Sequence, residues 1–450
     1  MKSATIITPF YALLIVVGII VGCSHSANHL TVKEPLTDSP KGLWGRVTPI
    51  ADNNHPNLFY NQSEVDELRR MVLVQRNPKD LANLYDSSIK DVHAIFTQNE
   101  CFRETITNMK AALSYLIEPT DSKASAIRAY LLALQKFRSR GLPDWSTECF
   151  RAYPSAWMFD LIQAYHPEKL SSVEKANLKQ WFALSAERLK FDSRDSFAVS
   201  GPSHKRETWV APVVTREGKT MVGFPNWYSR YMGPALACAL VSGNQAAVDY
   251  WAASGWPHNL FTFDEVTTTY PSDTANRYDL VMYLLAVYPS GANTDTYDRE
   301  GYNRSNRTWY TVDYTWGGYH WAQIGPALLA AEMAYHNGMS RVFEITDVSG
   351  TEPAALRSYK RAIESRNEID TQPANSFGHP VIGWANNIFI GYRRYSDPVV
   401  EKAAAELLNN NVPSPPHTGG IITTRIPYDQ IPWEVMRFFA YPRHIVWSGR

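Results

Sequence analysis

The sequence predicts a mainly all-α protein built from paired helices, and three observations carry that expectation. Apolar residues recur three or four positions apart through about a dozen stretches of similar length. Pro or Gly falls in most of the gaps between them, at Pro119, Gly141, Pro154, Pro167, Gly243, Gly255, Pro289 and Gly338. Alternating strand pattern is confined to short candidates at 209–215 and 387–392. Helices of like length joined by short connections pack as pairs wound into a toroid or solenoid. No sequence repeat marks the winding, so the pattern alone does not set the architecture.

Taken in order, Ser63-Glu64-Val65-Asp66 is a capping-box-like start for a helix running to about Arg76, and Pro78 marks the next boundary. Further helices are expected at 80–97, 104–117, 121–139, 154–165, 172–190, 227–242, 245–254, 276–287, 320–336, 355–366 and 398–409. In the 320–336 stretch Ile324, Leu328, Ala331 and Tyr335 line one face, Ala327, Leu329 and Ala330 widen it into a buried surface, and Asn337-Gly338 stops it. Its first turn differs, because Tyr319, His320 and Gln323 gather polar and titratable groups behind Gly317-Gly318. That is a plausible place for chemistry; the alternative is that Tyr319 and His320 pack as aromatics with satisfied polar tips.

Two connectors are long and rich in polar aromatics, 191–225 and 290–318. Loops of that length inside a compact domain are usually functional. The first contains Ser203-His204-Lys205-Arg206 and leads into Asn226-Trp227-Tyr228-Ser229-Arg230. The second contains Arg304, Arg307 and Trp309 and leads into Tyr319-His320. Both loops and both helix starts are expected to line one cleft.

Composition narrows the partners. Lys+Arg and Asp+Glu are equal at 44 each, which argues against a nucleic-acid partner held by bulk charge. Aromatic content is 13%, with 14 Trp and 25 Tyr, and such residues suit a groove that stacks sugar rings through their apolar C–H faces. A large helical core using aromatics as filler would look the same in composition.

At the N-terminus Lys2 precedes an apolar run from Ala4 to Val21 that ends Ile20-Val21-Gly22-Cys23, which resembles the lipobox of bacterial lipoproteins. The match implies a signal peptide at 1–22, lipid on Cys23, a tether at 23–41 and a folded domain at 42–450. An uncleaved anchor helix is the alternative, and either way the rest of the chain is expected outside the cytoplasm, in the periplasm or on the outer membrane. In that oxidising setting Cys101 and Cys149, both in Glu-Cys-Phe-Arg, are expected to pair as a disulfide, while Cys238 reads as a small buried helix residue. The only histidines four apart are His25 and His29, in the tether, so neither a metal site nor a cofactor is expected.

Four stretches resemble the alginate lyase family, polyuronate lyases on an incomplete (α/α) toroid, over most of residues 56–400. They are Pro56-Asn57-Leu58-Phe59-Tyr60-Asn61, the helix from Pro225 to Trp251, Tyr319 to Ala334, and Gly383-Trp384 through Tyr392-Arg393-Arg394-Tyr395. The resemblance implies an all-α incomplete toroid with long cleft-lining loops and a catalytic tyrosine at Tyr319. Where the family has Asn-Asn-His this chain reads Asn226-Trp227-Tyr228, so one Asn carries over and the histidine does not. The nearest candidates for the family's arginine are Arg307 and Arg304.

β-Elimination of a uronan needs the C5 carboxylate neutralised, a base for the C5 proton and an acid for the departing O4. Asn226 and Arg307 offer the first. Tyr319 offers base, acid or both once cations lower its ordinary pKa of about 10. His204 is the candidate to replace the missing histidine, with a solvated basic loop as the alternative. Trp227, Tyr228, Arg230, Arg304 and His320 are the candidate substrate-binding residues. A metal-independent polysaccharide lyase acting on an acidic polysaccharide is the first expectation. A non-catalytic glycan-binding lipoprotein, or a glycoside hydrolase using two of Glu265, Asp273, Asp295, Asp298 and Glu300, are the alternatives.

Overall fold

Helix follows helix from Asn61 onward, as the apolar spacing predicts. The computed structural model describes residues 45–143, 148–199, 212–214, 220–222, 226–252, 321–345, 352–370, 388–409 and 431–448, all within one compact unit, Pro40–Arg450. In chain order its α-helices are α1 (Gln62–Arg69), α2 (Lys79–Ser88), α3 (Cys101–Ile117), α4 (Asp121–Phe137), α5 (Ala152–Tyr165), α6 (Ser172–Val199), α7 (Asn226–Ser242), α8 (Gln245–Ala252), α9 (Trp321–His336), α10 (Ala354–Asp370), α11 (Ile388–Arg394), α12 (Pro398–Asn409) and α13 (Trp433–Met436). Two three-residue strands, Pro212–Val214 and Thr220–Val222, form an antiparallel hairpin.

The expected capping box is formed: Asn61 Oδ1 accepts from the Glu64 amide at 3.0 Å and Glu64 Oε2 accepts from the Asn61 amide at 3.1 Å. α1 then passes into a π-helical segment, Arg70–Gln75, that ends on Arg76 in the left-handed conformation.

Residues 45–60 carry no helix and lie as a strap across a set of helix ends. The Ile50 amide donates to Leu240 O of α7 at 3.0 Å, and the Thr48 amide to Asn337 O, just past α9, at 2.8 Å. Asn57 Nδ2 donates to His336 O at 2.8 Å. The buried Asp160 of α5 accepts the Leu58 amide at 2.9 Å and pairs with His55 Nδ1 at 2.6 Å. Gly45 and Gly338 interlock here; both have positive φ, and a Cβ on either would strike the other strand's backbone.

These bonds fix direction. The C-terminal ends of α5, α7 and α9 meet one strap, and Tyr115 near the end of α3 bonds His166, just past α5, at 2.7 Å. At the other end, Arg151 beside the start of α5 pairs with Glu104 near the start of α3. The helices α3, α5, α7 and α9 therefore run the same way, and α3 packs on α5, α5 on α7 and α7 on α9. Between them α4 and α6 run back, since Asp121 at the start of α4 pairs with Lys169, and Lys179 in α6 pairs with Asp52 of the strap.

The core is densest along α5, α7 and α9. Every residue from Ala152 to Ile162 is buried, as are Met232–Val241 and Ile324–Ala334. Ala235, Ala237 and Ala239 in α7 and Ala327, Ala330 and Ala331 in α9 are small enough to let these axes approach closely.

Some expectations are corrected. The helix expected over 80–97 stops at Ser88, because buried polar side chains of α3 hold the backbone beyond it. Asn108 Oδ1 accepts the Ile95 amide and its Nδ2 donates to Ile95 O, both at 2.9 Å, while Glu104 Oε2 accepts the Thr97 amide at 2.7 Å. The strand candidate at 387–392 is helix α11 from Ile388, buried among helices where no sheet partner exists among the described residues. α6 runs on to Val199, past the expected 190, which shortens the first long connector. The expected helix at 276–287 lies outside the described residues.

Candidate functional site

The site expected from the sequence begins where α7 and α9 begin. Both helices carry Gly-Pro-Ala-Leu, at 233–236 and 325–328, and both keep the Pro inside the helix. This short repeat goes unnoticed in a search for long-period repeats. Each Pro lacks the amide that would bond the carbonyl four residues back, so the ladder is interrupted at Arg230 and at Ala322, near the first turns of the two helices. Gly233 has a packing reason as well, since a Cβ there would overlap the buried Tyr153 hydroxyl of α5.

With their C-terminal ends on the strap, α7 and α9 extend about 24 Å at 1.5 Å per residue to N-terminal ends on the opposite side. Asn226 is the first residue of α7, and Trp227, Tyr228 and Arg230 lie in its first two turns. α9 opens at Trp321, so Tyr319 and His320 precede the helix in the chain and lie outside the described residues. His204, Arg304, Arg307 and the expected lipidation residue Cys23 lie outside them too.

The described chemistry at this end is an ion cluster between the starts of α3 and α5. Arg151, with no exposed surface, donates to Glu148 Oε2 at 2.6 Å, Glu104 Oε2 at 3.0 Å and Thr97 O at 2.7 Å. Glu148 in turn pairs with Arg138 at 2.8 Å. Burial works against the Arg151 charge, but the anionic neighbours Cys101, Glu104 and Glu148 outweigh it and its pKa rises. Burial raises the Glu104 carboxyl, against the hydrogen bonds of Thr97 and the charge of Arg151.

The expected Cys101–Cys149 disulfide is not formed: both residues carry thiols. Cys101 opens α3 and its charge acts on Arg151 and Tyr130, whereas buried Cys149, in the turn before α5, acts on Tyr153. Cys238 is fully buried inside α7, as expected, and burial pushes its thiol far up.

A tyrosine base needs a lowered pKa, yet every resolved tyrosine shift among the described residues is upward. Burial drives Tyr153 and Tyr130 well above the ordinary value, and Tyr165 and Tyr441 to about 12. None of these suits proton abstraction. Among the described residues no group of three or more His, Cys, Asp or Glu could hold a metal ion.

At the strap end sits a second cluster that the sequence reading missed. Glu332 of α9 and Glu64 of α1 share Arg393 and Arg394 of α11, and His336 joins them through Nε2 to Glu64 Oε2 at 2.6 Å. Arg393 reaches Glu64 Oε1 at 2.7 Å and Glu332 Oε1 at 3.0 Å. The available signal was Glu332 itself, a lone carboxylate inside Leu328–Ala334, where a charge needs a buried partner. This cluster ties both ends of the described chain to α9.

Comparison with protein-family models and with curated protein sequences gave no match for this chain.

Proposed function

We propose that this protein is a polysaccharide lyase that cleaves a uronic-acid-containing polysaccharide of alginate or glucuronan type by β-elimination, on an incomplete toroid of paired helices. One observation carries the reading: α3, α5, α7 and α9 run side by side in one direction, with α4 and α6 returning between them. That alternation suits a toroid. It also gathers parallel helix N-termini, each with a partial positive charge, at the end where Asn226 begins α7 and where Tyr319 and His320 lead into α9. An acidic polymer is the substrate such an end favours.

In this reading Asn226 and Arg307 hydrogen-bond and neutralise the C5 carboxylate, stabilising the enolate-like charge that develops as the C5 proton leaves. Tyr319 takes that proton and returns one to O4 of the departing sugar, with its pKa held down by nearby cations. His204 stands in for the absent family histidine. Trp227, Tyr228, Arg230, Arg304 and His320 bind the flanking sugars. The lipobox-like Ile20–Cys23 supports a lipid-anchored protein of the periplasm or outer membrane.

The test is ultraviolet absorbance over time with a panel of polyuronates, because elimination creates a conjugated C4–C5 double bond and hydrolysis does not. A rise on one polymer supports the lyase reading and names the substrate. A flat trace on every polymer, with folded protein, removes it.

A further inference from the structure

We propose that the strap end of this fold rests on a phospholipid bilayer, so that the end bearing Asn226 faces away from the membrane. The inference builds on the lipid anchor proposed at Cys23. Among the described residues five large hydrophobic side chains are exposed: Leu73 at 38%, Val74 at 76%, Val173 at 66%, Leu184 at 44% and Ile445 at 41%. Single exposed apolar residues are ordinary. Their distribution is not, because four of the five lie at one end.

Leu73 and Val74 belong to the π-helical segment that continues α1. α1 itself crosses the strap end, where Arg69 donates to Leu116 O at 2.7 Å and Glu64 meets His336. Val173 is in the first turn of α6, just past Lys169, which pairs with Asp121 at the same end. Ile445 lies between His444, whose amide donates to Arg393 O at 3.1 Å, and Val446, whose amide donates to Arg394 O at 2.9 Å. Both arginines sit in the Glu64–Glu332 cluster beneath the strap.

The chain reaches this end from the anchor. About 22 residues separate Cys23 from Gly45, a span of at most about 75 Å. Anchoring confines the strap end near the lipid surface, and the apolar side chains exposed there enter the headgroup boundary. Charge does not drive the contact, since Arg70 and Arg76 beside Leu73 and Val74 are matched by Glu67 at 3.8 Å and Asp86 at 2.6 Å. The docking is therefore insensitive to added salt.

The experiment is amide hydrogen exchange on the full chain, carrying its lipid, in vesicles of phosphatidylethanolamine and phosphatidylglycerol. The reference is the Cys23→Ser chain free in solution. Exchange is expected to slow several-fold at residues 70–77 and 443–447 in the vesicles, to be unchanged at the start of α3, and to stay slow at high salt. The double substitution Leu73→Asp with Val74→Asp, at two exposed positions, restores the reference rate at 70–77. Equal exchange in the two states, or protection at the start of α3 instead, overturns the proposal. A chain whose mass shows no lipid at Cys23 overturns it as well. None of these readouts depends on turnover, so the result stands apart from the lyase assignment.

Discussion

Arg394 and Glu332 meet in a two-point ion pair with neither side chain exposed: Nε donates to Oε2 at 2.9 Å and Nη2 to Oε1. The Arg394 guanidinium also lies 4.1 Å from the centre of the Tyr335 ring. Charges buried this deeply are tolerable only while matched, because each has given up its hydration. Glu332→Ala leaves Arg393 and Arg394 sharing Glu64 alone. It is expected to cost about 3–5 kcal/mol, read as a lower urea midpoint with an unchanged slope. A loss below about 1 kcal/mol would show that water enters to replace the carboxylate.

Acid should attack the same cluster. Burial pushes the Glu64 and Glu332 carboxyls up, but Arg393 and Arg394 outweigh it and hold both below the usual carboxylate range. A depressed folded pKa contributes stability that is fully present above the unfolded value of about 4.3 and is lost as pH falls below it. Urea midpoints should therefore fall steeply below about pH 4 in the wild type. Glu64→Gln should be weaker at neutral pH and show a shallower acid slope; parallel slopes would remove Glu64 from the acid response.

Tyr153 and Gly233 make a second coupled pair. Tyr153→Phe removes a buried hydroxyl that has no hydrogen-bond partner, so it should be neutral or slightly stabilising. Gly233→Ala drives a methyl into that hydroxyl and should cost about 1–3 kcal/mol. In the double variant part of that loss returns, because the oxygen nearest the new carbon is gone. Simple additivity in denaturant titrations would place the strain elsewhere.

How far the sequence is legible follows from where the information sits. The boundaries of α4, α7, α9 and α12 lie within two residues of those read from apolar spacing and Gly or Pro stops, because local periodicity sets them. Helix 80–97 was over-read for the opposite reason: Asn108 and Glu104, from the next helix, take over its backbone hydrogen bonds, and no local pattern encodes that. α11 looked like a strand because Ile388, Phe389 and Ile390 are apolar on every side, as a fully buried helix also is. Of the candidate site, Asn226 at the head of α7 was readable as a helix start. The common direction of α7 and α9 was not, since it is set by Thr48 and Ile50, nearly two hundred or more residues away in the chain.

The catalytic assignment makes the sharpest demand on Tyr319 and Asn226. Tyr319→Phe keeps the ring and removes the proton-transferring oxygen, so kcat should fall by about 10²–10⁴ with little change in KM. Asn226→Ala removes a donor needed as charge develops on the carboxylate, and should also lower kcat more than KM. Because the two groups act on one transition state, the double variant should lose less than the product of the single losses. His204→Ala separates two roles within the same assay. A kcat loss as large as that of Tyr319→Phe makes the histidine part of proton transfer or carboxylate neutralisation, and a rise in KM alone makes it a binding residue. Unchanged turnover in Tyr319→Phe would remove that tyrosine from the chemistry and transfer the search for a base to His204 and His320.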